Sequence, residues 1–167
     1  VIVERTPDGL ALRLADEAET ERLGRALAAV AAPDTVIALV GALGAGKTRL
    51  ARAIAEALGV DPEAIGSPTF VLHHVYEGGR LVVHHFDAYR LRDPSEFEAI
   101  GAAESFRDGG LALVEWADRV ADLIPSDAWW IRLALDPDDP PARTAALRLP
   151  PTAAAWIANQ LGGVEAG

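Results

Sequence analysis

The sequence predicts an α/β fold: a three-layer domain around a mixed central sheet that contains a β-hairpin. Three observations carry this. An uninterrupted apolar run, Val36 to Val40, feeds a glycine-rich turn and then a segment in which Leu50, Ile54 and Leu58 recur at helical spacing. Strand-like and helix-like segments interleave along the chain, as they do where helices cover a sheet. Between Thr69 and Phe86, two segments rich in β-branched and aromatic residues flank Glu77-Gly78-Gly79-Arg80, which reads as a tight turn and requires antiparallel pairing.

Taken in order, Val1 to Arg5 and Leu10 to Leu14 read as a short strand or hairpin. A helix follows with Asp16 as its N-cap and Glu19 three residues on, a capping box, and Leu23, Leu27 and Val30 form its apolar face. After the strand at 36–40 and the helix that Gly59 stops, Asp61-Pro62 starts a turn. Gly66-Ser67-Pro68 then leads into the hairpin. Ser95 and Glu98 make a second capping box, opening a helix expected to run to about Phe106, where Asp108-Gly109-Gly110 breaks it. Leu111 to Val114 is a buried-type strand ending in Glu115, followed by an amphipathic segment as far as Pro125. Trp129 to Leu135 and Ala145 to Leu149 read as late strands joined by the proline- and aspartate-rich loop Asp136 to Pro141. A last helix runs from Thr152 as N-cap to Leu161 and stops at Gly162-Gly163. One domain over residues 1–163 accounts for the length, with residues 164–167 expected to be a disordered tail.

The glycine-rich turn is Gly41-Ala42-Leu43-Gly44-Ala45-Gly46-Lys47-Thr48, which matches G-x-x-x-x-G-K-[ST], the P-loop of nucleoside triphosphatases. Its glycines let backbone N–H groups turn inward around phosphate. Lys47 then reaches the β- and γ-phosphates, and the Thr48 hydroxyl is placed to ligate Mg²⁺. A strand before the loop and a helix after it add the positive end of the helix dipole. The candidate ATP-binding set is therefore Gly41 through Thr48 with the adjoining Arg49. Lys47 is the only lysine, whereas the other fourteen of the fifteen basic residues are arginines. The composition keeps its one compact ammonium where a planar guanidinium would not substitute.

Composition narrows the function classes. Half of the residues are hydrophobic, as in a globular protein, and there is no cysteine for disulfides or thiolate metal sites. The formal charge of −10 argues against a chain that holds nucleic acid by itself, since phosphate neutralisation needs a basic face. No apolar run approaches membrane-spanning length and no signal-peptide pattern opens the chain, so a cytoplasmic protein without membrane association is expected.

A P-loop enzyme needs a second acid at the end of a neighbouring buried strand to hold Mg²⁺ or its water. Pattern favours Glu115, which follows four uninterrupted apolar residues. Asp87 is the other candidate, after Leu81 to Phe86, where paired histidines suggest a less buried strand.

Four blocks together resemble the bacterial TsaE family: Gly-x-Leu-Gly-Ala-Gly-Lys-Thr at 41–48, Ser67-Pro68-Thr69-Phe70, His85-Phe86-Asp87-x-Tyr89-Arg90-Leu91, and Val114-Glu115-Trp116. Order and spacing match over nearly the whole chain. The resemblance implies a small ATPase required for threonylcarbamoyladenosine formation next to the anticodon of tRNA. It implies protein partners, TsaD and TsaB, with tRNA met only through their complex. It also implies roles residue by residue: Lys47 on the phosphates, Thr48 and Glu115 on Mg²⁺, Thr69 sensing the γ-phosphate from a switch-like loop, and Asp87 catalytic or water-orienting. Trp116 beside the metal acid is an interaction candidate, and Thr20, in a Thr-x-x-Leu-Gly stretch, is a nucleotide-contact candidate. Two positions depart from the family pattern: Ala42, where Asp is frequent, and Trp116-Ala117-Asp118 in place of Trp-Pro-Glu.

Other residues carry weaker signals. Tyr89 and Arg90 flank Asp87, with Arg90 a candidate for supporting phosphates in cis, and Arg143 is a candidate for the base or a partner. His73-His74 and His84-His85 lie on strands that should pair, with His73 opposite His84 if Gly78-Gly79 forms the turn. At most two of them share a face, so polar cross-strand pairs on a partly exposed hairpin are expected rather than a metal site. Trp129, Trp130 and Trp156 are expected in packing roles. Two other functions compete with a partner-activated ATPase: a metabolite kinase, for which no arginine-dense lid is visible, and a nucleotide-gated binding module without catalysis. A GTPase is disfavoured because Asn159 is the only asparagine and no Asn-Lys-x-Asp reader exists.

Overall fold

The computed structural model describes residues 1–66 and 71–162. In chain order the elements are β1 (Ile2–Thr6), β2 (Gly9–Leu14), α1 (Glu17–Val30), β3 (Val36–Val40), α2 (Lys47–Ala57), β4 (His73–Tyr76) and β5 (Val83–Asp87). They continue with α3 (Pro94–Ala99), α4 (Ala102–Ser105), β6 (Leu111–Glu115), β7 (Trp129–Leu135), β8 (Arg143–Arg148) and α5 (Pro151–Leu161). Two 3-10 segments, Ala88–Arg90 and Ala117–Leu123, follow the ends of β5 and β6.

The strands form one mixed sheet in the order β1-β2-β8-β7-β3-β6-β5-β4. Its middle is parallel, with β3 between β6 and β7 and β5 outside β6; the two flanks are antiparallel. Side chains alternate across the sheet, so each strand feeds two cores. On one face Ile37, Leu39, Leu113, Ile131 and Leu147 pack with Leu23 and Leu27 of α1, Leu50 and Ile54 of α2, and Ile157 of α5. On the other, Val36, Ala38, Phe86 and Val114 meet Phe97, Phe106, Val120 and Ile124. These are the three expected layers. Among the described residues no helix is long and apolar enough to cross a membrane.

Register places the site. Leu39 pairs with Glu115, and Glu115 with Asp87, so β3, β6 and β5 end at one level and release their loops along one edge. In open α/β sheets that carboxyl edge is where ligands bind.

Several local expectations are revised. The Asp16 side chain accepts from Glu19 N as expected, but Glu19 Oε2 accepts from Ala15 N, at 2.6 Å. The helix expected from Ser95 to Phe106 is capped instead by Asp93, which accepts from Ser95 N, with Pro94 at the first helical position, and a turn at Ile100–Gly101 divides it into α3 and α4. The last helix opens on Pro151 with Pro150 as its cap residue, not Thr152, because the fixed proline φ suits the first turn. The late strand begins two residues earlier than expected, at Arg143, which pairs with Leu135.

The hairpin is also shifted. Its strands are His73–Tyr76 and Val83–Asp87, and His73 lies opposite Phe86 rather than His84, while His74 faces His85 and Val75 faces His84. The loop is longer than a tight Gly-Gly turn because Arg80 and Gly79 pack back on the end of α2, where Arg80 N donates to Leu58 O at 2.6 Å. Nor is β5 the less buried strand: Val83 to Phe86 are all buried. His85 is tolerated inside because its Nε2 hydrogen-bonds Glu115 at 2.8 Å, whereas His84 pairs through Nδ1 with His73 and its Nε2 stands 2.7 Å from Asp108 without hydrogen-bond alignment. The Ser67 to Phe70 block, including Thr69, and the tail from Gly163 lie outside the described residues.

Candidate functional site

The site forms where β3 ends and α2 begins. Gly41 to Gly46 wrap between them, and Gly46 caps the helix at φ 104°, a left-handed conformation that a side chain at this position would strain. The first two residues of α2 are Lys47 and Thr48. Their position follows from the strand-loop-helix order alone, which turns the free N–H groups of the helix start toward the carboxyl edge of the sheet.

Lys47 is buried, at 4 % exposure. Its Nζ donates to Gly41 O at 2.6 Å and Ala42 O at 2.9 Å, and stands 3.9 Å from the centre of the Trp116 ring. Burial pushes the ammonium below the ordinary lysine value, and Glu115, Asp118 and Asp87 oppose that shift. The three carboxylates sit around the lysine as countercharges, so both acid candidates and Asp118 share its electrostatic environment.

Thr48 Oγ1 donates to Glu115 Oε2 at 2.8 Å, joining the start of α2 to the end of β6. The other carboxylate oxygen is 2.8 Å from His85 Nε2. A hydroxyl and a carboxylate oxygen brought together at the head of a phosphate-binding loop are hard donors of the kind Mg²⁺ takes, so the residues fit that ion.

A cleft of about 230 Å³ opens here. Of the sequence-predicted residues, Thr20, Leu43, Gly44, Gly46, Lys47, Thr48, Arg49, Glu115, Trp116 and Arg143 line it. Thr20 comes from the first turns of α1, where its hydroxyl donates to Asp16 O at 3.3 Å. Arg49 pairs with Glu17 at 2.9 Å and Glu21 at 3.3 Å, tying α2 to α1 at the cleft wall. Arg143 closes the opposite rim: its Nη1 donates to Pro140 O and its Nη2 lies 3.4 Å from Gly44 O. Gly41 and Ala42 contribute through their carbonyls to Lys47, and Ala45 is fully buried beneath the loop.

The remaining candidates gather just outside that lining. Asp87 ends β5 next to Glu115, and its Oδ1 accepts from Tyr89 N at 2.9 Å. Tyr89 is exposed, with its ring 4.7 Å from Trp116, while Arg119 donates to Tyr89 O. Arg90 is exposed on the same 3-10 turn. Trp116 adopts φ 57°, uncommon for an aromatic residue, and this turns its ring over Lys47. Trp129 is buried in the core and Trp156 is partly exposed on α5, while Trp130 is partly buried beneath the Arg148 guanidinium.

Sequence reasoning passed over three residues. Glu17 and Pro141 line the cleft, and His85 holds Glu115. For His85 a signal existed, since it precedes Asp87 by two and so shares its face of the strand. Glu17 and Pro141 reach the cleft through long-range packing that no local pattern reports.

Comparison with known proteins agrees with this architecture. The family described as "Threonylcarbamoyl adenosine biosynthesis protein TsaE" matches residues 14–144. The tRNA threonylcarbamoyladenosine biosynthesis protein TsaE of Bacillus subtilis is 37 % identical over 127 residues, 76 % of this chain and 78 % of that protein. Its namesake from Treponema pallidum is 41 % identical over 107 residues, 64 % and 78 % of the two chains. The crystal structure of Bacillus subtilis YdiB superposes with a TM-score of 0.72 at 28 % identity, covering 97 % of each chain. Loop, acid and sheet order thus coincide with a match spanning most of the sequence, and the chain belongs to the TsaE family.

Proposed function

We propose that this chain binds and hydrolyses ATP with Mg²⁺ as a subunit required for threonylcarbamoyladenosine modification of tRNA next to the anticodon. It acts in the cytoplasm with TsaD and TsaB, which activate it, and meets tRNA only through them. The observation that carries the reading is the convergence of Lys47, Thr48 and Glu115 in one cleft at the carboxyl edge of the sheet.

The cleft geometry supports the roles of Lys47, Thr48 and Glu115, and the family resemblance supports those of Asp87 and Thr69. The N–H groups of the loop and of the α2 start cradle phosphate, and Lys47 exchanges its bonds to Gly41 O and Ala42 O for phosphate oxygens. Thr48 and Glu115 would hold Mg²⁺, which when bound neutralises charge on the β- and γ-phosphates. Thr20, Glu17 and Arg143 on the cleft walls orient the nucleoside end. Asp87, beside Glu115 at the strand ends, orients the attacking water and accepts its proton, and Thr69 senses the γ-phosphate. The net charge of −10 supports a partner, rather than this chain, as the tRNA-binding surface.

Hydrolysis is almost entirely positioning and charge stabilisation, and the two arginines that line the cleft are engaged elsewhere, Arg49 with Glu17 and Glu21 and Arg143 with the carbonyls of Pro140 and Gly44, so partner groups complete the site. ATP hydrolysis measured with and without TsaB, TsaD and tRNA tests this. Partner stimulation that vanishes in Lys47→Ala is expected. A pure chain that turns over at full enzymatic rates with no gain from partners contradicts the reading.

A further inference from the structure

His85 lies on the far side of the Glu115 carboxylate from the cleft. The two side chains are each 3 % exposed, and His85 Nε2 approaches Glu115 Oε1 at 2.8 Å while Glu115 Oε2 takes the Thr48 hydroxyl, also at 2.8 Å. A carboxylate only accepts, so the histidine nitrogen facing it carries the proton and donates. The sheet register makes the approach possible. Asp87 is level with Glu115, and His85, two residues earlier on the same face of β5, sits directly beneath the carboxylate.

The imidazole is itself confined. On β4, His74 lies opposite His85, and the Tyr76 ring stands 6.2 Å away, tilted at 52°. A buried carboxylate left with one bond from an exposed threonine would be free to rotate about its last torsion, and it would carry an unsatisfied oxygen. The bond from His85 removes both options. A glutamate at the end of a strand thereby becomes a ligand oxygen of fixed direction.

We propose that His85 is a positioning residue for Glu115, holding the carboxylate in the orientation that presents Oε2 beside Thr48 to the divalent cation of the bound nucleotide. This rests on the reading of Thr48 and Glu115 as the cation-holding pair. Hydrogen-bond partners behind a metal ligand typically contribute about 10–100-fold to metal affinity. His85 is not among the residues that line the cleft and reaches the site only through Glu115, so it acts on the cation step alone.

The test uses Mn²⁺ as a paramagnetic replacement for Mg²⁺ and ADP as the nucleotide. Mn²⁺ affinity of the ADP complex is read by electron paramagnetic resonance, and ADP affinity in EDTA by calorimetry, for the full chain and for His85→Phe, His85→Gln and Glu115→Gln. His85→Phe keeps the ring volume without the donor, and His85→Gln keeps an N–H near the same place. The expected result is Mn²⁺ affinity lowered about tenfold or more in His85→Phe, substantially recovered in His85→Gln, with ADP affinity in EDTA unchanged within about twofold. Should His85→Phe fail to fold by circular dichroism, His85→Gln against His85→Asn decides: only glutamine reaches the Nε2 position, so equal Mn²⁺ affinities overturn the proposal. Unchanged Mn²⁺ affinity in His85→Phe, with the expected loss in Glu115→Gln, overturns the His85 assignment alone. No loss in Glu115→Gln overturns the cation reading of Glu115 and the His85 assignment with it.

Discussion

Gly24 of α1 and Ala53 of α2 meet so closely that a Cβ added at Gly24 would lie 2.6 Å from the Ala53 Cβ. The contact sets the spacing of two helices whose first turns carry the cleft residues Glu17 and Thr20 on one side and Lys47 and Thr48 on the other. Gly24→Ala therefore has two expected effects: a loss of about 1–3 kcal/mol in chemical denaturation, the usual cost of overpacking, and weaker ATP binding. Gly24→Ala/Ala53→Gly should recover part of both. Stability and affinity unchanged in Gly24→Ala would show that the helices separate at no cost to the site.

Lys47 predicts a separation of stability from binding. Its folded-state pKa lies below the ordinary 10.5, so its destabilising effect is fully present at neutral pH and is relieved as pH rises toward 10.5. Lys47→Met should lose ATP affinity yet melt at no lower temperature than the parent at pH 7. A markedly lower melting temperature would mean that the bonds to Gly41 O and Ala42 O and the Trp116 contact outweigh the cost of burial.

Arg80 offers the opposite separation. No basic residue occupies the last turn of α1, and the Arg80 guanidinium, from the hairpin loop, supplies one by donating to Ala28 O at 2.6 Å and Ala31 O at 3.0 Å. Arg80→Ala is expected to cost about 1 kcal/mol of stability, measured by denaturant titration, and to leave ATP affinity unchanged.

Acid should weaken the fold through His73. Its ring stacks on Phe86 at 4.2 Å and its Nε2 lies 3.0 Å from His84 Nδ1. Burial, followed by His84 and His74, keeps its imidazolium below the ordinary 6.5, while Asp108 opposes. The folded state thus resists protonation, and stability contributed by the neutral form is lost as pH falls below 6.5. His73→Phe should flatten the decline in melting temperature between pH 6.5 and 5, whatever its effect at pH 7; an unchanged slope would locate the acid sensitivity elsewhere.

The parts of this fold that were legible in the sequence are those written in short-range pattern. The strand Val36–Val40, the loop, the α2 start and the strand ending in Glu115 all follow from apolar runs and glycine spacing, and they place the phosphate site without further help. The histidine strand was misjudged as less buried because histidine alone does not reveal its environment. What holds His85 inside is Glu115, a partner supplied by the neighbouring strand and invisible to a local window. The same holds for Arg80 on α1. Asp93 was different: its signal, an aspartate before Pro94, was local and lay two residues ahead of the capping box that competed with it.

The central claim is that one nucleotide site is built by Lys47, Thr48 and Glu115. Calorimetric titration of ATP into the pure chain, with Mg²⁺ and with EDTA, tests it most directly when Lys47→Met and Glu115→Gln are run beside the parent. The account predicts one site per chain, weakened about ten- to a hundredfold by Lys47→Met under both conditions, and weakened by Glu115→Gln only when Mg²⁺ is present. Binding of ATP that ignores Lys47→Met, or a Glu115→Gln effect of equal size in EDTA, would contradict it.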